Sequence, residues 1–263
     1  MLVSAIVVTP AAAQVQVTSP SVIEQSARPG ARLEGSIDVR NLSATPQEVR
    51  VYQTDYQFFA DGRSDFAAPG TLARSSAGWI TLSPTRFTIA AGGMTRVGYV
   101  MVVPSTGVLA TGTHWSVIMV EAVAPGSRES ARPGTQARVR LGVNVAVRQA
   151  VEIAVNIDEA DAHTAISLSN PSISTSATGQ RQLSVDATNA GELAVRPILR
   201  IDVLDDDGRR VAHAEQQRGL LFPSSSVRQR FDLGMIPHGT YHAVVVADTG
   251  GDELFGAKFT LQF

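Results

Sequence analysis

The side chains best able to do chemistry are few and scattered. The five histidines are His114, His163, His213, His238 and His242, and none stands in an HExxH pattern or any other tight ligand spacing. His238 and His242 are four apart, but among strand patterns that spacing joins a turn to a strand. Leu204-Asp205-Asp206-Asp207-Gly208-Arg209-Arg210 sets three carboxylates in a row. A calcium loop needs about six oxygens at fixed positions, and no glutamate falls where its last ligand belongs. Asp-Gly between alternating runs reads instead as a hairpin turn. With no cysteine in the chain, disulfides, thiolate metal sites and a thiol nucleophile are excluded. G-x-S-x-G, S-x-x-K, P-loop and G-x-G-x-x-G patterns are missing too. These residues describe a binding protein rather than an enzyme, with no catalytic residue, no metal site and no cofactor.

Composition narrows the partner. A net charge of −2 gives no general attraction to nucleic acid. The chain is 44% hydrophobic and 17% charged, a globular balance with a core adequate for folding without staples. After the first residues no run of about 20 apolar residues appears, so no transmembrane segment is expected in the mature chain. At the start, an apolar run from Leu2 to Val8 leads through Thr9-Pro10 to Ala11-Ala12-Ala13-Gln14. Small residues at Ala11 and Ala13 suit a signal peptide over residues 1–13, cleaved after Ala13. The expected location is the periplasm or the outside of the cell.

The elements that must position any binding surface are strands. Apolar and polar residues alternate in 36–41, 48–59, 86–90, 95–103 and 114–123, with turn residues between them. Trp79, Phe87, Ile89, Val97 and Tyr99 fall on the expected core face, and 71–79 holds at most one short turn. The second half repeats the punctuation of the first. Asn41 matches Asn189, Asp61-Gly62-Arg63 matches Asp207-Gly208-Arg209, Pro104 matches Pro237, and Gly112-Thr113 matches Gly239-Thr240. A repeat unit of this size with short strands suits a Greek-key sandwich. The expected fold is all-β, two tandem immunoglobulin-like β-sandwich domains over 14–148 and 149–263. Almost no linker separates them, which favours a stiff joint. The closing run Phe255, Phe259, Leu261, Phe263 reads as the last strand of the second domain.

One run stands out as a candidate binding element. Val139, Leu141, Val143, Val145 and Val147 share one face, while Arg138, Arg140, Asn144 and Arg148 lie on the other. A Gly-, Pro- and Ser-rich stretch, 124–136, precedes it. Such a strand can pair with an incomplete partner, main-chain hydrogen bonds giving affinity and side chains filling pockets. It equally suits the closing strand of a sandwich. A second reading uses Tyr52, Tyr56 and Phe58, which share one parity and could line a glycan groove if exposed.

The pattern of Pro20, Pro29-Gly30, Ile37-Asp38-Val39-Arg40-Asn41, the stretch Trp79–Gly92, Val103-Pro104 and Gly112–Glu121 resembles two families. One is the PapD-like periplasmic pilus chaperones; the other is the WxL- and peptidoglycan-interacting immunoglobulin-like domains of surface proteins. The resemblance covers the first half and is generic in the second. It implies a protein that binds another exported protein, a pilin-like subunit or surface protein, or else cell-wall glycan. Pilus chaperones anchor a client's terminal carboxylate with a basic pair on the first and last strands. Here the first-strand position is Ser21, with Arg148 as the loose match on the last, and no C-terminal membrane span of the surface family follows.

Overall fold

The computed structural model describes residues 15–105, 109–123 and 147–263. Among them the chain forms strands and two single 3₁₀ turns, at Ala77–Trp79 and Glu159–Asp161. Among the described residues no helix is long and apolar enough to cross a membrane.

The first unit carries β1 (Val15–Val17), β2 (Val22–Ala27), β3 (Arg32–Asn41), β4 (Gln47–Phe58), β5 (Ser64–Ala67), β6 (Ile80–Ser83), β7 (Arg86–Ile89), β8 (Met94–Val102), β9 (Gly112–Ala122) and β10 (Arg148–Ile157). One sheet runs β1-β3-β8-β6; the other runs β2-β10-β9-β4-β5, with β7 also on β4. Every pairing is antiparallel except β2 with β10. The stretch around Gly92-Gly93 therefore does not fold back as a hairpin. It carries the chain from β7 in one sheet to β8 in the other. Alternation explains the core between the sheets: Ile37, Val39, Val49, Val51, Val97, Tyr99, Ile118, Val120, Val151 and Ile153 are all buried there. Burying one such aliphatic side chain is worth about 1.5–3 kcal/mol. Trp79 and Phe87 pack on this core half-buried.

The second unit carries β11 (Ile166–Thr175), β12 (Arg181–Asn189), β13 (Ile198–Leu204), β14 (Arg210–Gln217), β15 (Ser226–Gly234), β16 (Thr240–Asp248) and β17 (Leu254–Gln262). Sheets β11-β12-β15 and β14-β13-β16-β17 enclose Leu183, Leu199, Ile201, Phe231 and Val245. The repeat holds atom by atom at two places. Asn41 ends β3 and Asn189 ends β12, both fully buried. Asn41 Nδ2 donates to Thr45 O and Ile89 O, and its Oδ1 accepts from Ser43 N. Asn189 Nδ2 donates to Leu193 O and Leu221 O, and its Oδ1 accepts from Gly191 N. The two Asp-Gly turns also match. Phe59 N bonds Arg63 O and Gly62 N bonds Phe59 O, as Asp205 N bonds Arg209 O and Gly208 N bonds Asp205 O. Gly62 and Gly208 have φ of 91° and 77°, a region in which a Cβ is strained.

The expected boundary at Arg148–Gln149 is corrected. β10 belongs wholly to the first sandwich, with Val151, Ile153, Val155 and Ile157 in its core. Its period of two continues to Ile157, and the chain turns only at Asp158, whose φ is 45°. The joint beyond is closely knit. Trp115 Nε1 donates to Tyr56 O at 2.7 Å, and its ring stacks on Phe222 with centroids 4.8 Å apart and planes 9° apart. Thr113 N donates to Glu192 O at 2.8 Å, and Ala194 N donates to Thr113 Oγ1 at 2.7 Å. Gly112 lies so near that a Cβ would stand 2.3 Å from Glu192 O.

Candidate partner-binding edge

Of the run proposed for partner binding, Val139, Leu141, Val143 and Val145 lie outside the described residues. Val147 is half-buried, and Arg148 is the exposed first residue of β10. The site that can be described is thus the start of β10.

β10 pairs with β9 along its whole length, Arg148 opposite Glu121 and Ile157 opposite Gly112. On its other side β2 pairs only Glu152–Ile157. Glu152 N donates to Ser21 O at 2.8 Å, the last bond on that side. Residues of the same parity, Ala150 and Arg148, turn their backbone groups the same way, where β2 no longer reaches. Gln149 points to the opposite face. Its Nε2 donates to Val15 O at 2.8 Å and its Oε1 accepts from Val17 N at 2.6 Å, so one side chain ties β10 to β1 of the facing sheet. The first residues of β10 are held firmly, while one of their backbone edges has no partner strand among the described residues.

A hollow of about 430 Å³ flanks this edge on the outer sheet face, lined by Tyr52, Thr54, Phe66, Met119, Arg148 and Ala150. Phe66 is 55% exposed and stacks on Tyr56 with centroids 4.7 Å apart. Buried Glu121 organises the polar rim. Arg50 reaches it at 2.7 Å, Arg148 at 3.5 Å, and Tyr52 OH donates to it at 3.2 Å. Burial pushes the Glu121 carboxyl up, but the Arg50 hydrogen bond and the charges of Arg148 and Arg50 outweigh it and hold it below the usual carboxylate range. Burial and the same carboxylate push the Tyr52 phenol up. Of the glycan-groove candidates, Tyr52 lines the hollow. Tyr56 stacks beside it, and Phe58 packs into the joint near Trp115.

Ser21 and Arg148 do not form a pair. The Ser21 backbone carbonyl accepts from the backbone N–H of Glu152, four residues further along β10. Glu152 is partly buried beside Glu24 and Arg196, and burial pushes its carboxyl up to about 7. Arg196, from the second unit, is already engaged by both oxygens of Glu24, one of them at 2.8 Å. The sequence reading missed Glu152, Gln149 and Trp115. For Gln149 the visible signal is a polar residue on the otherwise apolar parity from Val143 to Ile157; Glu152 and Trp115 carry none.

No family model matches the chain, and no curated protein matches it. Solved structures do. The chain is similar to fimbrial chaperones. The class 5 fimbriae chaperone CfaA shares 14% identity over 94% of this chain and 98% of its own, with a TM-score of 0.46. A chaperone–tip adhesin complex of CFA/I fimbriae biogenesis shares 12% identity, covering 94% of this chain and 98% of that one, with a TM-score of 0.47. The CsuC–CsuE chaperone–tip adhesion subunit pre-assembly complex of Acinetobacter baumannii Csu pili shares 13%, covering 93% and 98%, with a TM-score of 0.44.

Proposed function

We propose that this chain is an exported, non-enzymatic protein that binds a second exported protein by strand addition, in the manner of a pilus-assembly chaperone. The open edge of β10 at Arg148–Val151 carries the reading. A sheet edge with unused N–H and C=O groups is a template for another strand. That edge leads directly back to Val147 and the alternating run that begins at Val139. The hollow beside it offers an apolar seat for a partner side chain, and Arg148 stands at its rim. A client is expected to be a pilin-like subunit or another surface protein, met in the periplasm after removal of residues 1–13.

The test is co-expression with exported proteins encoded by neighbouring genes. Ala150→Pro removes a donor from the open edge and leaves the core face untouched. The reading expects a purified complex from the wild type and its loss from the variant, with the melting temperature of the variant lowered by only a few degrees. A complex that survives Ala150→Pro in full speaks against strand addition at this edge. The exposed ring of Phe66 beside Tyr52 favours a second reading, cell-wall glycan in the hollow. Titration with soluble peptidoglycan fragments decides it: Phe66→Ala must abolish any binding observed.

A further inference from the structure

A second hollow lies where the Asp-Gly turn of the first sandwich meets the second. It has a volume of about 500 Å³ between the β4–β5 turn and strands β14 and β15, and Phe59, Asp61, Arg218, Arg228, Gln229 and Arg230 line it. It shares no residue with the edge described above.

Its charges do not cancel internally. Asp61 is engaged by Arg63, through Nε at 2.7 Å and the backbone N–H at 3.0 Å. Arg228 is held by Asp186 at 2.7 and 3.0 Å. Arg218 and Arg230 have no ion pair and no side-chain hydrogen bond among the described residues. The Arg218 Nε is shielded from solvent and meets no acceptor. Gln229 is 1% exposed. Its amide N–H groups donate to Gln216 Oε1 and Arg230 O, which leaves its own Oε1 buried without a donor.

Buried polar groups in folded proteins are almost always paired, so an orphan donor and an orphan acceptor on residues that line one hollow point to what would pair with them there. The occupant must offer an acceptor to Arg218 and a donor to Gln229. A carboxylate pairs with guanidinium groups in a fork geometry, and a hydroxyl donates to an amide oxygen. Sulfate lacks the donor, and a neutral sugar leaves two cationic side chains unmet. A single water, whose share of liquid volume is about 30 Å³, fills a small part of the space. We propose that this hollow binds a small hydroxylated organic anion, a hydroxy acid or an acidic sugar. Such a ligand touches both sandwiches at once and braces the joint, because anything that binds only the assembled form stabilises it.

Calorimetric titration tests this with tartrate and glucuronate as probes and with succinate, sulfate and glucose as comparators. The proposal expects saturable binding of tartrate, glucuronate or both, and weaker binding of the three comparators. Tartrate alone marks a hydroxy acid; glucuronate alone marks an acidic sugar. Arg218→Gln and Arg230→Gln should each weaken binding about tenfold or more, as expected for loss of a charge-assisted hydrogen bond. Arg230 is exposed, so its variant decides the matter if Arg218→Gln fails to fold. No saturable binding of either probe overturns the proposal. So does sulfate binding as tightly as the hydroxylated acids, or affinity unchanged in Arg230→Gln.

Discussion

Two side chains give the fold opposing responses to pH. Glu152 titrates near 7 in the folded chain because burial disfavours its anion, with Arg196 lowering and Glu24 raising that value. The unfolded carboxyl titrates near its ordinary value of about 4.3. The folded state therefore holds the extra proton between those values, and stability falls as pH rises from about 4.3 to 7, then levels off. By this linkage the loss is on the order of 3–4 kcal/mol. His114 works the other way. Burial, with the Arg74 charge adding to it, holds its imidazole below the ordinary range despite the contact to Ala110 O, so stability is lost as pH falls below the ordinary histidine value. Glu152→Gln should remove the loss above pH 5 and leave the acid limb from His114. Denaturant midpoints measured from pH 5 to 8 check this; a variant whose midpoint still falls towards pH 7 contradicts the assignment.

At the scale of elements, β10 joins two roles. Its inward side chains close the first core, and its first four residues leave one edge open. Gln149 is the hinge pin between these roles. Gln149→Ala strips Val17 N–H and Val15 O of their partner and should cost about 1–3 kcal/mol, with β1 exchanging its amides faster while β9 does not. Unchanged protection at Val17 shows the contact to be dispensable. Much of this element layer was legible beforehand, because a period of two and repeated punctuation are local signals. The Asp-Gly turns and the paired asparagines carry the chain in the same way in both halves, as the four-point repeat implied. Gly112 and Gly239 match only in position, since of the two only Gly112 has positive φ, where its backbone also approaches Glu192. What stayed hidden depends on which face of a strand meets the other domain. Trp115 alternates like any core residue, and nothing local says that its odd parity faces Phe222 rather than solvent. The boundary was misread for the same reason. The apolar run crosses Arg148 without a break, and only the positive φ at Asp158 ends it.

For the whole molecule, the contacts across the joint make the two sandwiches one mechanical body. Trp115 is 4% exposed and its ring is shared with Phe222 and Ala154. Truncating a buried aromatic costs about 3–5 kcal/mol. Because most of the ring lies outside both sandwich cores, Trp115→Ala should uncouple the units rather than unfold either. Calorimetry should show two transitions where the wild type shows one; a single transition in the variant places the coupling elsewhere. Coupling matters for the proposed function, since the open edge of β10 ends at Glu152, beside Arg196 of the second unit. A partner strand laid along that edge runs into β2, which pairs β10 from Glu152 onward and sets where it must stop. The most direct test is amide hydrogen exchange at Arg148 and Ala150, in the free protein and in complex with its exported partner. Strand addition predicts fast exchange at both amides in the free chain, slowed by about tenfold or more in the complex, while Val151 and Ile153, already bonded to β9, stay slow throughout. Amides at Arg148 and Ala150 that are already slow in the free protein, or that stay fast in the complex, contradict it.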